Sequence, residues 1–166
     1  TYVFAGWNPE VSDTVTGNAT YVAQWKALYK VEYEWTGITT GETYYDAEGN
    51  KVEVNLPSGK SGLETGETHE VDTTYTAGQV VYNAEKTEEY TFSGWEPSGT
   101  VKIAGANVTI KGSWRKAELY TVTYDLNGGS KGDEKEALVY GNLKAGEETP
   151  KIKDPVRAEE NGVTYV

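Results

Sequence analysis

Few residues in this chain could carry out acid–base, nucleophilic or metal chemistry. Its 166 residues include one histidine, His69, and no cysteine or methionine. A zinc site with several His or Cys ligands is therefore excluded, and a Ser-His-Asp triad would depend on His69 alone. His69 lies in a polar stretch without a ligand motif nearby, so we expect an exposed side chain, no metal and no cofactor.

The 26 acidic residues could pair in two kinds of site. Asp46, Glu48 and Asn50 alternate as oxygen donors, as in a calcium loop, but the spacing lacks the loop's central Gly and terminal Glu. A hairpin turn between Tyr44-Tyr45 and residues 52–54 is the favoured interpretation. Two carboxylates could also serve a glycosidase, but a small β repeat offers no deep cleft. We expect no enzymatic activity.

Aromatic residues are the remaining candidates for a binding site, with 13 Tyr and 5 Trp against 2 Phe. Exposed flat rings can stack on the faces of sugars. The candidate ligand-binding set is Trp35, Tyr44, Tyr45, Tyr75 and Tyr82. The alternative, which we favour, is that these rings pack the core or a junction with a neighbour. A further alternative for a sulfur-free chain is a Lys–Asn or Lys–Asp isopeptide crosslink.

The net charge of the chain limits the classes of partner that it can bind. Lys and Arg number 15 against 26 Asp and Glu, which gives a formal net charge of −11. Nucleic acid is a poor partner for such a chain, because affinity for phosphates comes mainly from Lys and Arg. No apolar run approaches the roughly 20 residues that a membrane span needs, so we expect no membrane insertion. A negative surface keeps an array of domains soluble and extended.

The local patterns predict a mainly β fold with very little helix. Apolar and polar residues alternate over residues 29–35, 108–114 and 120–126, which is typical of half-buried strands. Asn127-Gly128-Gly129 should end the last of these strands. The best helix signal is a single short turn that Asn142 would cap and Gly146 would stop.

One motif set occurs twice in the chain. Tyr2-Val3-Phe4-Ala5-Gly6-Trp7-Asn8-Pro9 and Tyr90-Thr91-Phe92-Ser93-Gly94-Trp95-Glu96-Pro97 share five of eight residues. Each is followed by a second tryptophan, Trp25 or Trp114, and then by Y-x-V-x-Y at residues 29–33 or 120–124. Repetition at matched positions predicts that these tryptophans form a core in each repeat.

The chain ends suggest a tandem array cut inside a module. Residues 164–166 repeat the Thr-Tyr-Val of residues 1–3. We interpret residues 28–117 as one longer β module, residues 119–166 as the N-terminal part of a second and residues 1–27 as its C-terminal part. The alternative is a coincidental match beside an N-terminal half-domain. Residues 1–27 should then complete residues 119–166, either in the same chain or head-to-tail in a neighbour.

These motifs resemble a known repeat. Tyr120-Thr121-Val122-Thr123-Tyr124-Asp125-Leu126-Asn127-Gly128-Gly129 is similar to the opening of the Listeria–Bacteroides repeat, the internalin B-repeat family. The segments 2–7 and 20–25 resemble the close of the same repeat, and Pro155 lies where the family usually has a proline. Residues 29–117 resemble a longer relative of the mucin-binding-protein or streptococcal tandem-repeat kind.

The resemblance implies an architecture, a location and a function. It implies tandem, elongated, β-grasp-like modules in a protein exported to the bacterial cell surface, between a binding head and the cell wall. The chain would be a stalk or spacer segment of an adhesin, with neighbouring repeats as partners. The alternative function is a repeat module that binds a host glycan or protein.

Overall fold

The computed structural model describes residues 1–131 and 137–158 and shows a mainly β protein. Twelve strands and no helix occur in these residues. The predicted mainly β class is confirmed. Accordingly, nothing in the described segments is a helix long and apolar enough to cross a membrane.

The strands are numbered in chain order. Their bounds are β1 Tyr2–Asn8, β2 Val22–Ala27, β3 Tyr29–Thr36, β4 Tyr44–Tyr45, β5 Lys51–Val52, β6 Lys60–Leu63, β7 Thr68–Glu70, β8 Val80–Tyr82, β9 Glu88–Glu96, β10 Thr100–Lys102, β11 Val108–Tyr124 and β12 Leu138–Lys144.

The chain divides into two compact units, each built from alternating segments. The first unit comprises Thr1–Glu42, Glu53–Gln79 and Thr91–Arg115, and the second comprises Thr43–Val52, Val80–Tyr90 and Lys116–Val166. Strands β9 and β11 therefore each contribute residues to both units. The module boundaries at 27/28 and 117/119 were predicted from the sequence repeat, whereas the two units are defined by their compactness. The module boundaries therefore stay predictions.

Strand β3 lies between two partners in the first unit. It pairs in parallel with β11, where Val31 lies opposite Val108 and Trp35 opposite Gly112. On its other edge it pairs antiparallel with β6. The alternation predicted from the sequence is confirmed, because Val31 and Tyr33 are buried while their neighbours Lys30 and Glu32 are exposed.

An N-terminal hairpin, formed by β1 and β2, also belongs to the first unit. The two strands pair antiparallel, with a register shift between Phe4 and Gly6. Gly6 has a φ of 111° and Gly94, at the matched position of β9, has a φ of 120°. Such positive values favour glycine, which has no Cβ to clash with the backbone. In the described sheets, β1 and β2 pair only with each other.

The second unit begins with the hairpin of β4 and β5. Its turn is held by Asp46, whose Oδ1 accepts the backbone N–H of Asn50 at 2.8 Å, while Gly49 has a φ of 88°. The predicted hairpin turn at residues 46–50 is therefore confirmed. Strand β4 pairs antiparallel with β8, placing Tyr45 opposite Tyr82, and β9 follows β8 in the sheet.

The last strand, β12, replaces the predicted turn of helix. It pairs antiparallel with the end of β11, with Val122 opposite Tyr140 and Tyr120 opposite Leu143. Two residues, Gly141 and Asn142, thus lie opposite Thr121 alone, and Asn142 takes a φ of 59° at this bulge. The helix prediction was wrong because a local capping signal was outweighed by strand pairing. The end match at residues 164–166 lies outside the described residues.

Candidate functional site: the repeated aromatic motif

The occurrence of the motif in β9 and β11 is buried. Phe92 lies 5.3 Å from Trp95 and 5.1 Å from Trp114 between ring centroids. Trp35 on β3 and Tyr75, from the connection between β7 and β8, close the cluster at 5.2 Å from each other. The indole N–H groups of the three tryptophans have no hydrogen-bond partner among the described residues. Ring packing and apolar burial therefore hold this core together.

A glycine makes the centre of the cluster possible. Trp35 stacks on Trp95 with ring centroids 4.7 Å apart and planes inclined by 20°. A Cβ atom added to Gly112 would lie 2.4 Å from Trp35 Cζ3 and 2.5 Å from Trp95 Cζ3. The two indoles thus occupy the space that any other residue at position 112 would need.

The second occurrence, in the β1–β2 hairpin, has similar ring separations. Phe4 lies 5.5 Å from Trp7 and 5.7 Å from Trp25, both edge-to-face, whereas Phe92 and Trp114 are inclined by 44°. Unlike their counterparts, these three rings are exposed, as are Tyr2 and Val22. These exposed rings make the hairpin a candidate interaction surface. The "hairpin face" below means Tyr2, Phe4, Trp7 and Trp25, which lie on one side of the β1–β2 pair.

The five residues predicted to bind a ligand fall into two groups. Trp35 and Tyr75 lie in the core cluster of the first unit, and the Tyr75 hydroxyl donates to Glu53 O and accepts the Asn55 N–H. Tyr44 is buried in the second unit against Tyr90. Only Tyr45 and Tyr82 remain, half-buried and opposite each other on β4 and β8. Three of the five rings thus pack inside their units.

His69 differs from the sequence-based expectation of a free, exposed side chain. It is half-buried on β7, and its Nε2 lies 2.9 Å from the Tyr33 hydroxyl. That hydroxyl also accepts the Asp72 N–H at 3.0 Å. Burial raises the pKa of Tyr33; the Asp72 N–H lowers it and the Asp72 charge raises it. Sequence reasoning missed this network because its members are 36 and 39 residues apart along the chain.

Two lysine–glutamate pairs lie in the second unit. Lys144 Nζ donates to Glu89 Oε1 at 2.6 Å, and Glu89 is buried, whereas Lys116 pairs with a half-exposed Glu88. Hydrogen bonding to Glu89 raises the pKa of Lys144. Of the described residues that are buried, none is a lysine. The isopeptide alternative requires a buried lysine beside Asn or Asp, and the structure offers it no support.

The acidic residues form hydrogen bonds rather than ligand clusters. Asn50 donates to both carboxylate oxygens of Asp46, and these bonds lower the pKa of Asp46. Over residues 1–131 and 137–158, no three His, Asp or Glu side chains meet in a metal-binding arrangement. An open depression of about 350 Å³ beside β3 has Glu32 as the one carboxylate in its lining. It does not bring together the carboxylate pair that a glycosidase uses.

Comparisons with known proteins leave the chain without an assigned relative. No protein-family model matches it, and neither a curated protein nor a solved structure shows significant similarity to it.

Proposed function

We propose that this chain is a non-enzymatic stalk or spacer segment of a bacterial cell-surface adhesin, located outside the cell. The observation that carries the proposal is the repeated motif: in residues 90–114 it forms the core of a compact β unit. Reuse of one core motif along a chain is the signature of a repeat array, in which each unit packs mainly on its neighbours. The resemblance to B-repeats supplies the bacterial surface context.

The composition supports a spacer role. The chain has no cysteine and no methionine, so its folded state depends on neither disulfides nor oxidisable sulfur. Aromatic packing supplies the stability instead, with Tyr and Trp together accounting for 18 residues. The net charge of −11 favours separation of successive repeats.

Solution scattering tests the spacer role. Chains that contain one, two and three copies of the 166-residue sequence would be compared at low concentration. A stalk should show a maximum dimension that rises in proportion to copy number. A radius of gyration that rises only with about the 0.38 power of length, as in a compact globule, would overturn the proposal.

A glycan- or protein-binding module is the alternative function. Tyr45 and Tyr82 favour it, because they are the members of the candidate set outside the buried clusters, and Lys86 Nζ lies 5.8 Å from the centre of the Tyr82 ring. A glycan array would be probed with the chain and with a Tyr45→Ala, Tyr82→Ala double variant. Binding that the double variant loses supports this function, and an absence of binding at millimolar glycan counts against a sugar ligand.

A further inference from the structure

We propose that the hairpin face binds residues 120–126 of a second copy of this sequence, by addition of one parallel strand to the edge of β2. This inference uses the repeat-array part of the proposed function and names the partner of the array. The occurrence of the motif in β9 and β11 is covered, whereas the occurrence in the β1–β2 hairpin is exposed.

The difference in burial is large at every matched position. Phe92, Trp95 and Trp114 are 1%, 8% and 4% exposed, whereas Phe4, Trp7 and Trp25 are 46%, 46% and 62% exposed. The rings nevertheless keep similar centroid separations within the hairpin, where Trp7 is opposite Ala23 and Phe4 is opposite Trp25. The hairpin face therefore corresponds to the part of the core that β9 and β11 contribute in the other occurrence, but it lacks the strand that covers it.

Strand β3 shows what completes that core. It lies parallel to residues 108–113 of β11, and its Trp35 covers Trp95. The sequence of β3 recurs at residues 120–126, where Tyr120, Val122 and Tyr124 match Tyr29, Val31 and Tyr33. The chain thus contains a second strand of the type that covers the motif.

This second strand has an edge for the hairpin. Residues 119–124 pair with β12 antiparallel, just as β3 pairs with β6. On the opposite edge, Leu119 donates its N–H to Thr87, immediately before β9 begins. Because Phe92 faces Trp114 and Trp95 approaches Gly112, β9 runs along the part of β11 that precedes Leu119. The described sheets give residues 120–124 no strand partner besides β12.

The register follows from the matched positions. Gly112 lies opposite Trp35 in the first unit, and the corresponding residues are Ala23 and Leu126. A methyl group at Ala23 faces the smaller Leu126, whereas glycine at 112 faces the larger Trp35. The larger residue on one strand compensates for the smaller residue on the other, so the total side-chain volume of the pair is similar. Packed interfaces tolerate substitutions that conserve volume in this way. Leu126 is already buried in its own unit, so the hairpin would extend an existing core face.

The next pair in this register lies on the solvent side. Lys111 and Glu34 are opposite each other on β11 and β3 and form a salt bridge of 3.1 Å. The matched residues are Val22 and Asp125, and both are exposed in the chain by itself. Cysteines at these two positions would report the contact without entering either core, and the natural chain contains no cysteine to interfere.

Disulfide trapping of the full chain tests the proposal. The double variant Val22→Cys, Asp125→Cys would be oxidised at micromolar concentration and separated without reductant. Opposed strand residues lie within the 4.4–6.8 Å Cα separation that a disulfide requires. We expect a ladder of two, three and more linked chains. A linked monomer would overturn the proposal, because the partner strand would then come from the same chain, and an absence of disulfide would overturn it as well.

Two further variants control for chance oxidation and for unfolding. Val22→Cys, Thr121→Cys places the second cysteine four residues along the strand, about 13 Å out of register, and should give no ladder. Adding Trp7→Ala to the trapping variant should abolish the ladder and leave the thermal midpoint unchanged, because Trp7 is outside the core. An equal ladder from Val22→Cys, Thr121→Cys would refute the register, and an equal ladder after addition of Trp7→Ala would refute the hairpin face as the binding surface.

The outcome can be separated from that of the stalk proposal. Trapping reports whether two copies join through the hairpin face, whereas scattering from multi-copy chains reports whether copies in one polypeptide form an extended rod. A failed ladder beside a rod-like multi-copy chain would remove the partner and keep the spacer.

Discussion

Trp35 and Trp95 stack at 4.7 Å because position 112 carries no side chain. The two indoles come from residues 60 positions apart, on β3 and β9, and meet over the glycine of the strand between them. This arrangement ties the parallel pairing of β3 and β11 to the aromatic core. It also makes the first unit sensitive to changes that would be harmless in an ordinary strand.

Gly112→Ala should destabilise the first unit by about 1–3 kcal/mol, because the new methyl group would overlap both indole rings. Urea unfolding followed by tryptophan fluorescence measures this, since all five tryptophans lie in that unit. Gly17→Ala is the matched control, because a Cβ there meets nothing within 4 Å. An unchanged midpoint for Gly112→Ala would contradict the stacked arrangement.

Trp114→Ala and Trp25→Ala should differ strongly although they remove the same side chain from matched positions. Loss of the buried Trp114 should cost about 3–5 kcal/mol, as large-to-small changes do in cores. Loss of the exposed Trp25 should stay within about 0.5 kcal/mol. The comparison is made by denaturant unfolding, followed by far-ultraviolet circular dichroism at a protein concentration low enough to avoid self-association. Equal losses of stability for the two variants would show that the hairpin is part of the core.

The burial of Tyr33 predicts a loss of stability at alkaline pH. Burial raises the pKa of Tyr33 above the ordinary tyrosine value of about 10. Between the two values the folded chain binds a proton that the unfolded chain releases, so the free energy of unfolding should fall as pH rises above about 10. Tyr33→Phe should show a smaller fall, measured by urea titrations from pH 8 to 11.

Tyr33→Phe also has an expected cost at neutral pH. The Asp72 N–H and His69 each lose a partner, and a hydrogen bond contributes about 1 kcal/mol. Parallel pH profiles for the variant and the natural chain would show that the alkaline fall comes from another group, such as Tyr120, whose pKa is also raised, first by its hydrogen bond to Glu118.

Lys144→Ala should destabilise the second unit more than removal of an exposed ion pair. Its partner Glu89 is buried, and weakening the hydrogen bonding of a buried charged group costs about 1–3 kcal/mol, with the exposure of Lys144 favouring the lower end. Lys30→Ala, which breaks the exposed pair with Glu32, should cost under about 0.5 kcal/mol. Thermal unfolding by circular dichroism ranks the two variants.

The pH dependence of the Lys144–Glu89 pair has a definite direction. Because the pKa of Lys144 is raised, its contribution to stability is complete below the ordinary lysine value and falls as pH rises through the raised one. Lys144→Ala should remove that part of the alkaline loss. A Lys144→Ala variant as stable as Lys30→Ala would show that the carboxylate of Glu89 is adequately satisfied by its other interactions.

Local periodicity predicted much of the fold. The alternation at residues 29–35 and 108–114 predicted both strands of the parallel pair, and the polar segment from Asp46 to Asn50 predicted the first turn of the second unit. These signals are local, because a strand or a tight turn is determined by residues next to each other in the chain. The single predicted helical turn was wrong at Asn142, where the left-handed conformation serves a bulge.

Long-range pairing was beyond the reach of sequence reasoning. Nothing in the sequence indicates that β3 joins β11 in parallel, since 77 residues separate Val31 from Val108. Tyr75 lies outside any strand and has no periodic neighbours, yet it closes the aromatic cluster. For the candidate site, the repeated motif was visible, but which of its two occurrences is exposed depends on pairing that only the fold reveals.

Gly112 and Trp35 also constrain each other sterically, because the Trp35 ring occupies the space that a side chain at position 112 would need. A larger residue at position 112 alone creates an overlap, and a smaller residue at position 35 alone creates a void. Each position is therefore expected to change only together with the other. Homologous chains should therefore show covariation between these two positions, with small residues opposite tryptophan and larger ones opposite leucine. The Ala–Leu combination at positions 23 and 126 would be the second solution to the same constraint, retained within one sequence.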